Sequence, residues 1–361
     1  MGRKPPGARN VTALRLFLGC CLAAGAASST LAADDEAIAD FYRGKQLRIV
    51  IRAEPGGNYD IYSRLLGRYI TRHIPGNPTV VPVNMPGGGG MTALNYVANV
   101  APRDGTVISM ITQSLPLEQA LRLNPSLKAD LRQLQCIGNM SSDNEFLFTA
   151  PASPTRTLDD ARRRQTLIAA TGMASVSTYI TAVANNMLGT KFRVLYGYPS
   201  GPAMNMAMAR GEAEGRTTSN PDSAFLGVEA AAFHYILQVG LKKDHAFPDV
   251  PLLNDLATGP DEKLVFGFLS SVVALSRPVC STSEVPAERV AALRAAFAKA
   301  MADPDLLAEA ERLKLPVSFT GGAEVQDIVA RIVDAPAADI DKVREAIRLK
   351  PADAIEGKAA P

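Results

Sequence analysis

The sequence predicts an α/β fold of doubly wound, mainly parallel sheets, and three observations point to it. Short β-branched runs alternate with amphipathic helical patterns through the first third of the chain. Glycine-rich turns fall where a strand hands over to a helix, at Pro55-Gly-Gly57 and at Pro86-Gly-Gly-Gly-Gly90. About 330 residues remain after an N-terminal leader, more than one compact core usually holds, so two lobes are expected.

The leader is read over residues 1–32. Arg3, Lys4, Arg9 and Arg15 give a basic start without an acidic residue, a short apolar stretch of small residues follows to Ala27, and Thr30-Leu-Ala32 offers a cleavage site after Ala32. The apolar stretch is short for a membrane span. A lipid anchor at Cys20 is the weaker reading, because Phe17-Leu-Gly19 fits a lipobox poorly. The full chain carries 38 Lys and Arg against 36 Asp and Glu; losing the four basic leader residues leaves 34 against 36, a net charge near −2. That balance, with basic residues scattered, argues against nucleic-acid binding. Of the four cysteines, Cys136 and Cys280 stay in the mature chain. They are read as two buried thiols, with pairing in an oxidising compartment as the alternative. His73, His234 and His245 lie far apart in sequence, and no metal-ligand or cofactor spacing is visible.

After the leader, a short helix is expected over 34–42, a strand over 47–53, a helix over 59–73 and a strand over 79–84. A second helix runs from Met91 to Val100, Pro102-Arg-Asp-Gly105 turns, and a strand follows over 106–111. Glu145–Ala150 reads as a strand leading out of the first lobe. A second α/β unit follows: helix 158–164, strand 166–170, loop 172–178, helix 179–188, strand 192–196, helix 203–210 and a short strand ending near Ser219. Lys263–Leu275 reads as strand-rich, and 286–301 and 305–314 as helices.

The strand-to-helix joints carry the candidate chemistry. A helix amino terminus presents backbone N–H groups that no preceding turn satisfies, and these suit an anion. In the first joint the candidates are Pro55, Gly56, Gly57, Asn58, Tyr59 and Asp60, with Asn58 or Asp60 placed to cap the helix and the glycines letting a ligand approach the backbone. In the second they are Gly88, Gly89, Gly90 and Met91. In the third they are Gly172, Ala174, Ser175, Ser177 and Thr178, whose hydroxyls either cap the helix or donate to a ligand. Tyr198 and Ser200 open the next helix.

The order Pro55-Gly-Gly-x-x-Asp60, Asn84-Met-Pro-Gly-Gly-Gly-Gly90, Ala101-Pro-Arg-Asp-Gly-Thr106 resembles the Bug family, the solute-binding receptors of tripartite tricarboxylate transporters. The resemblance continues through Tyr198-Pro-Ser-Gly-Pro-Ala203, Arg210-Gly-Glu-Ala-Glu-Gly215, Val285-Pro-Ala-Glu-Arg-Val290 and Met301-Ala-Asp-Pro-Asp305. It implies a type II periplasmic-binding fold, with two doubly wound α/β lobes around a ligand cleft. Lobe 1 would span 33–148, an inserted lobe 2 would span 149–267, and 268–361 would complete lobe 1 and form the tail. It also implies a carboxylate held mainly by backbone N–H groups and small hydroxyls, without an arginine in the loop cores. Departures occur at Ala174, Val176 and Thr178, where members often carry a glycine-serine run and a histidine. Arg216 meets a second carboxylate or pairs with Glu212 or Glu214; the pairing is the reading adopted.

The function implied is a monomeric, periplasmic, non-enzymatic receptor that captures a small carboxylate and delivers it to large and small membrane permease subunits, without a cofactor. A sensor for a membrane signalling partner is the alternative. An exported enzyme finds little support, because no nucleophile–base pair, phosphate loop or dinucleotide fingerprint is visible.

Overall fold

The computed structural model describes residues 1–2, 36–122, 124–219 and 230–356 of the 361. The leader ending at Ala32 and the anchor at Cys20 fall outside the described residues. Helix α1 covers 36–42. The first α/β run is β1 (Gln46–Ile51), α2 (Asn58–Ile70), β2 (Thr79–Asn84), α3 (Met91–Asn99), β3 (Val107–Met110), α4 (Leu115–Leu121) and β4 (Gln135–Asn139). The second is β5 (Glu145–Thr149), α5 (Leu158–Arg163), β6 (Thr166–Ala170), α6 (Val176–Leu188), β7 (Phe192–Tyr196), α7 (Gly201–Ala209), β8 (Gly215–Thr218) and β9 (His234–Val239). Then follow α8 (Pro260–Ala274), β10 (Pro278–Ser281), α9 (Ala287–Met301), α10 (Pro304–Arg312), β11 (Thr320–Gly321), α11 (Gly322–Val333), α12 (Ala337–Ala346) and β12 (Ala354–Glu356).

Two six-stranded sheets result, in the orders β11-β4-β10-β3-β1-β2 and β12-β7-β6-β8-β5-β9. In the first sheet β1 pairs in parallel with β2 and β3, and β10 runs antiparallel to both β3 and β4. In the second, β6 pairs in parallel with β7 and β8, and β5 runs antiparallel to β8 and β9. Three strands run against their sheets: β5, β10 and the two-residue β11, which pairs antiparallel with β4. For β5 and β10 the cause is shared. A chain that leaves one lobe at the carboxyl edge of its sheet enters the other lobe at the facing edge, so its first strand there points the opposite way.

The chain passes between the sheets at 140–144 and again at 275–277. The crossings expected near 148 and 267 therefore shift, since 148 lies inside β5 of the second sheet and 267 inside α8. The tail departs from the expected division too. α12 packs on α4, α6 and α8, and β12 joins the second sheet beside β7.

Alternation sets the core. Leu47, Ile49 and Ile51 of β1 enter one apolar cluster with Leu65, Leu66 and Phe297, whereas Val50 faces the other way with Leu94 and Val107. Gly67 brings α2 close to the sheet: a Cβ there would meet Val80 Cγ1 at 2.9 Å.

Lys263–Leu275, read as strand-rich, lies in α8. The β-branched and aromatic content is real, but the start signals are helical. Pro260 occupies the first turn, and Glu262 accepts hydrogen bonds from the N–H groups of Thr258 and Gly259. Val265, Phe266, Leu269, Ser270, Val272 and Val273 are buried at helical spacing.

The reading of Cys136 and Cys280 as separate thiols is also corrected. β10 enters the first sheet between β3 and β4, setting Cys280 opposite Cys136, and the two form a disulfide. A separation of 144 residues hid that register in the sequence. Replacing both cysteines by alanine should lower unfolding stability by about 2–4 kcal/mol, read as a lower denaturation midpoint. Non-reduced peptide mapping should return the two segments joined.

Candidate functional site

β1 ends at Ile51, and the chain turns through Gly56, whose φ of +81° favours glycine, into α2. Gly57 caps the helix with φ −75° and no side-chain cap, so neither Asn58 nor Asp60 holds the capping position expected of it. Asp60 acts as a tie instead. Buried at 3% exposure, its carboxylate accepts from Gly56 N (2.9 Å), Arg64 Nε (2.8 Å) and Asn84 Nδ2 (2.9 Å). Asn84 also donates to the Ala53 carbonyl, so one acid ties the first glycine turn to the end of β2. Burial opposes ionisation of Asp60, but these donors outweigh it and hold the carboxyl below its usual range. The first intrahelical bond runs from Ile61 N to Gly57 O, which leaves the N–H groups of Asn58, Tyr59 and Asp60 ahead of it.

At the end of β2, Gly88–Gly90 form a 3₁₀ turn and Gly90 starts α3 in a left-handed conformation. A Cβ on Gly90 would sit 2.2 Å from Thr112 Oγ1 and 2.8 Å from Arg52 Cδ, so the turn tolerates no side chain there. The Gly89 carbonyl accepts from Thr112 Oγ1 (2.9 Å) and Arg52 Nη1 (3.3 Å). Met91 is buried beneath the turn.

In the second lobe Ser175 caps α6, its hydroxyl accepting from Thr178 N at 3.3 Å, while Thr178 Oγ1 donates to the Gly172 carbonyl. Ser177 is turned inward: its hydroxyl pairs with Thr217 Oγ1 (2.7 Å), which donates to Glu145 Oε1 (2.7 Å). Ser200 caps α7 by accepting from Ala203 N, and Tyr198 is buried beside it. Burial, with the nearby Glu212, raises the Tyr198 phenol above its ordinary range. The amino termini of α2, α3, α6 and α7 thus stand at the carboxyl ends of β1, β2, β6 and β7.

The lobes touch at these edges. Ser114 Oγ donates to the Ala174 carbonyl (3.2 Å), and Arg277 Nη2 to Ser219 Oγ (3.2 Å). Sequence reasoning placed no arginine here, yet two frame Tyr59. The Arg52 guanidinium carbon lies 3.9 Å from the Tyr59 ring centroid and that of Arg277 4.8 Å from it. An arginine closing the apolar run Arg48-Ile-Val-Ile-Arg52 was the available signal. The pairing expected for Arg216 is not formed: Glu214 binds Arg164, and Glu212 lies beside Arg210. Arg216 instead donates to Asn205 Oδ1 (2.7 Å) and the Thr217 carbonyl (2.8 Å), next to Gly201 at the start of α7. Burial lowers its pKa to about 10. Among the described residues no three His, Cys, Asp or Glu side chains converge as a metal site.

Glu118, one turn into α4, is 2% exposed and its Oε1 has no partner; burial pushes its pKa up to about 7. A carboxyl whose folded pKa is raised favours the folded state fully at low pH. That advantage is lost as pH rises from the unfolded value near 4.5 through about 7. Glu118→Gln should therefore be more stable than the parent at pH 8, by roughly 3 kcal/mol at most, and the gap should close by pH 4. Chemical denaturation at the two pH values measures this.

No protein-family model matches the sequence. The chain is 25% identical over 205 residues to Protein BugT of Bordetella pertussis, the match covering 54% of this chain and 59% of that relative. Among solved structures, the fold resembles the periplasmic binding protein BugD (TM-score 0.65, 16% identity, 84% of this chain and 98% of that one). It also resembles MatC of Rhodopseudomonas palustris with bound malate (TM-score 0.63, 16% identity, 83% and 99%). At these identities the structural likeness shows the fold, that of a periplasmic binding protein.

Proposed function

Starting from the Bug family of periplasmic solute-binding proteins, which the sequence relative and the fold together support, we propose that this chain is a receptor for a small carboxylate. The observation that carries the reading is the placing of four helix amino termini at the facing edges of the two sheets, where glycine turns open the backbone to a ligand. In this reading Pro55–Asp60 and Gly88–Met91 form the first-lobe wall. Gly172, Ala174, Ser175, Thr178, Tyr198 and Ser200 form the second, and Ser177 supports it from inside. Binding draws the lobes together, because each supplies part of the seat and the bound state gains contacts from both. The protein works in the periplasm, does not transform its ligand, and delivers it to a tripartite tricarboxylate-type permease. The malate bound to MatC is a ligand of the same chemical class.

Mass spectrometry of small molecules released from gently purified protein should find an organic acid, and calorimetry should find it bound one to one and recovered unchanged. Gly57→Val tests the seat. Its Cβ would meet only Glu54 O at 3.4 Å and Ala53 Cβ at 3.6 Å, and φ is negative, so the variant should fold. Its branched side chain then stands at the mouth of α2, and affinity should fall more than tenfold. Asp60→Ala should lose stability as well as affinity, because three donors lose their acceptor. Unchanged affinity in a folded Gly57→Val protein, or turnover of the acid, rejects the reading.

A further inference from the structure

We propose that Arg52 and Arg277, stacked on Tyr59 where the lobes meet, form a charged oxyanion subsite that holds an acidic group of the ligand by side-chain ion pairs. The proposal rests on the receptor reading above and adds a chemistry that the backbone seats lack.

The two guanidinium groups come from different parts of the chain. Arg52 follows the carboxyl end of β1, and Arg277 lies in the second crossing segment, one residue before β10. Both lie against the Tyr59 ring, and Arg277 also lies 4.9 Å from the centroid of Tyr62. Arg277 is 4% exposed. Among the described residues its guanidinium donors reach only the Ser276 carbonyl (2.6 Å) and Ser219 Oγ (3.2 Å), and its Nε is buried without a partner. Arg52 Nε is likewise buried and unpartnered, its Nη1 reaching the Gly89 carbonyl at 3.3 Å.

No described carboxylate comes within 4.0 Å of either guanidinium. Asp143 and Glu145 lie near Arg277, but Asp143 is engaged by Ser141 and Glu145 by Thr217. Two like charges facing one ring, with buried N–H groups unmet, are costly in a folded protein unless an anion joins them. A carboxylate or comparable oxyanion supplies what is missing: opposite charge and acceptors for planar guanidinium donors. Tyr59 and Arg52 also connect the subsite to the first two glycine turns, since Tyr59 sits in the first turn of α2 and Arg52 holds Gly89. Arg277 connects it to the second lobe through Ser219.

The test uses sodium malonate as the oxyanion probe and sodium chloride at equal ionic strength as its control, with the thermal midpoint as readout. Malonate should raise the midpoint of the parent protein by several degrees beyond chloride. Arg52→Gln and Arg277→Gln should each weaken the apparent malonate affinity at least tenfold, and Arg277→Met should abolish the response. In anion-free buffer Arg277→Met should be as stable as the parent or more so, because it removes an uncompensated buried charge. A parent protein indifferent to malonate overturns the subsite. So does an undiminished malonate response in the arginine variants, or a sharp loss of anion-free stability in Arg277→Met with the response kept, which would make Arg277 a structural tie. Gly57→Val separates the two readings. If it loses the response while the arginine variants keep it, the backbone seat stands and the subsite falls; if all respond as the parent does, both fall.

Discussion

The structure depends on one constraint: in a parallel β–α–β unit each helix begins where its strand ends and must run back before the next strand can pair, so strand carboxyl ends and helix amino ends share an edge. Both sheets obey it, and each lobe turns that edge toward the other. The crossings at 140–144 and 275–277 run along the same edges, which is why β5 and β10, the strands that follow them, run backwards. The proposed site is therefore a consequence of the topology. It lies where the glycine turns, the caps and the crossing segments meet.

Polar ties then fix the turns. Asp60 is shared between Gly56, Arg64 and Asn84, and Gly89 between Thr112 and Arg52, so the first two turns of the first lobe are held against each other. In the second lobe the hydroxyls of Ser175, Thr178 and Ser200 are spent largely on their own helix ends, and Ser177 on Thr217 and through it Glu145. In the proposed seat the second-lobe wall thus offers a ligand mainly backbone groups. The first-lobe wall and the crossing segment add charge. This division of labour was not expected from the sequence, where the loop cores read as free of arginine.

What could be read in advance follows physical range. The run from β1 to β3 was legible because hydrophobic period and glycine punctuation agree there, and neither needs a distant partner. The reading of 263–275 as strand failed because composition was weighed above the Pro260 and Glu262 start signals. Strands β4, β9 and β10 escape a sequence reading because their pairing partners lie far away in sequence. The candidate site was legible as loops, but Asp60 was read as a local cap when its acceptor role reaches across to β2.

The sequence by itself determined the α/β class, the glycine turns at the strand ends and the presence of the helices that follow 172–178 and 198–202, because each depends on backbone conformation within a few residues. The structure starts those helices two to three residues earlier than expected, at Val176 and Gly201. Only the tertiary structure decided that Cys136 faces Cys280, that Arg52 and Arg277 share the ring of Tyr59, that Arg216 avoids Glu212 and Glu214, and where the chain changes lobes. Each of those facts joins residues brought together by sheet register and lobe docking, and these follow from packing summed over the whole chain, not from any local pattern.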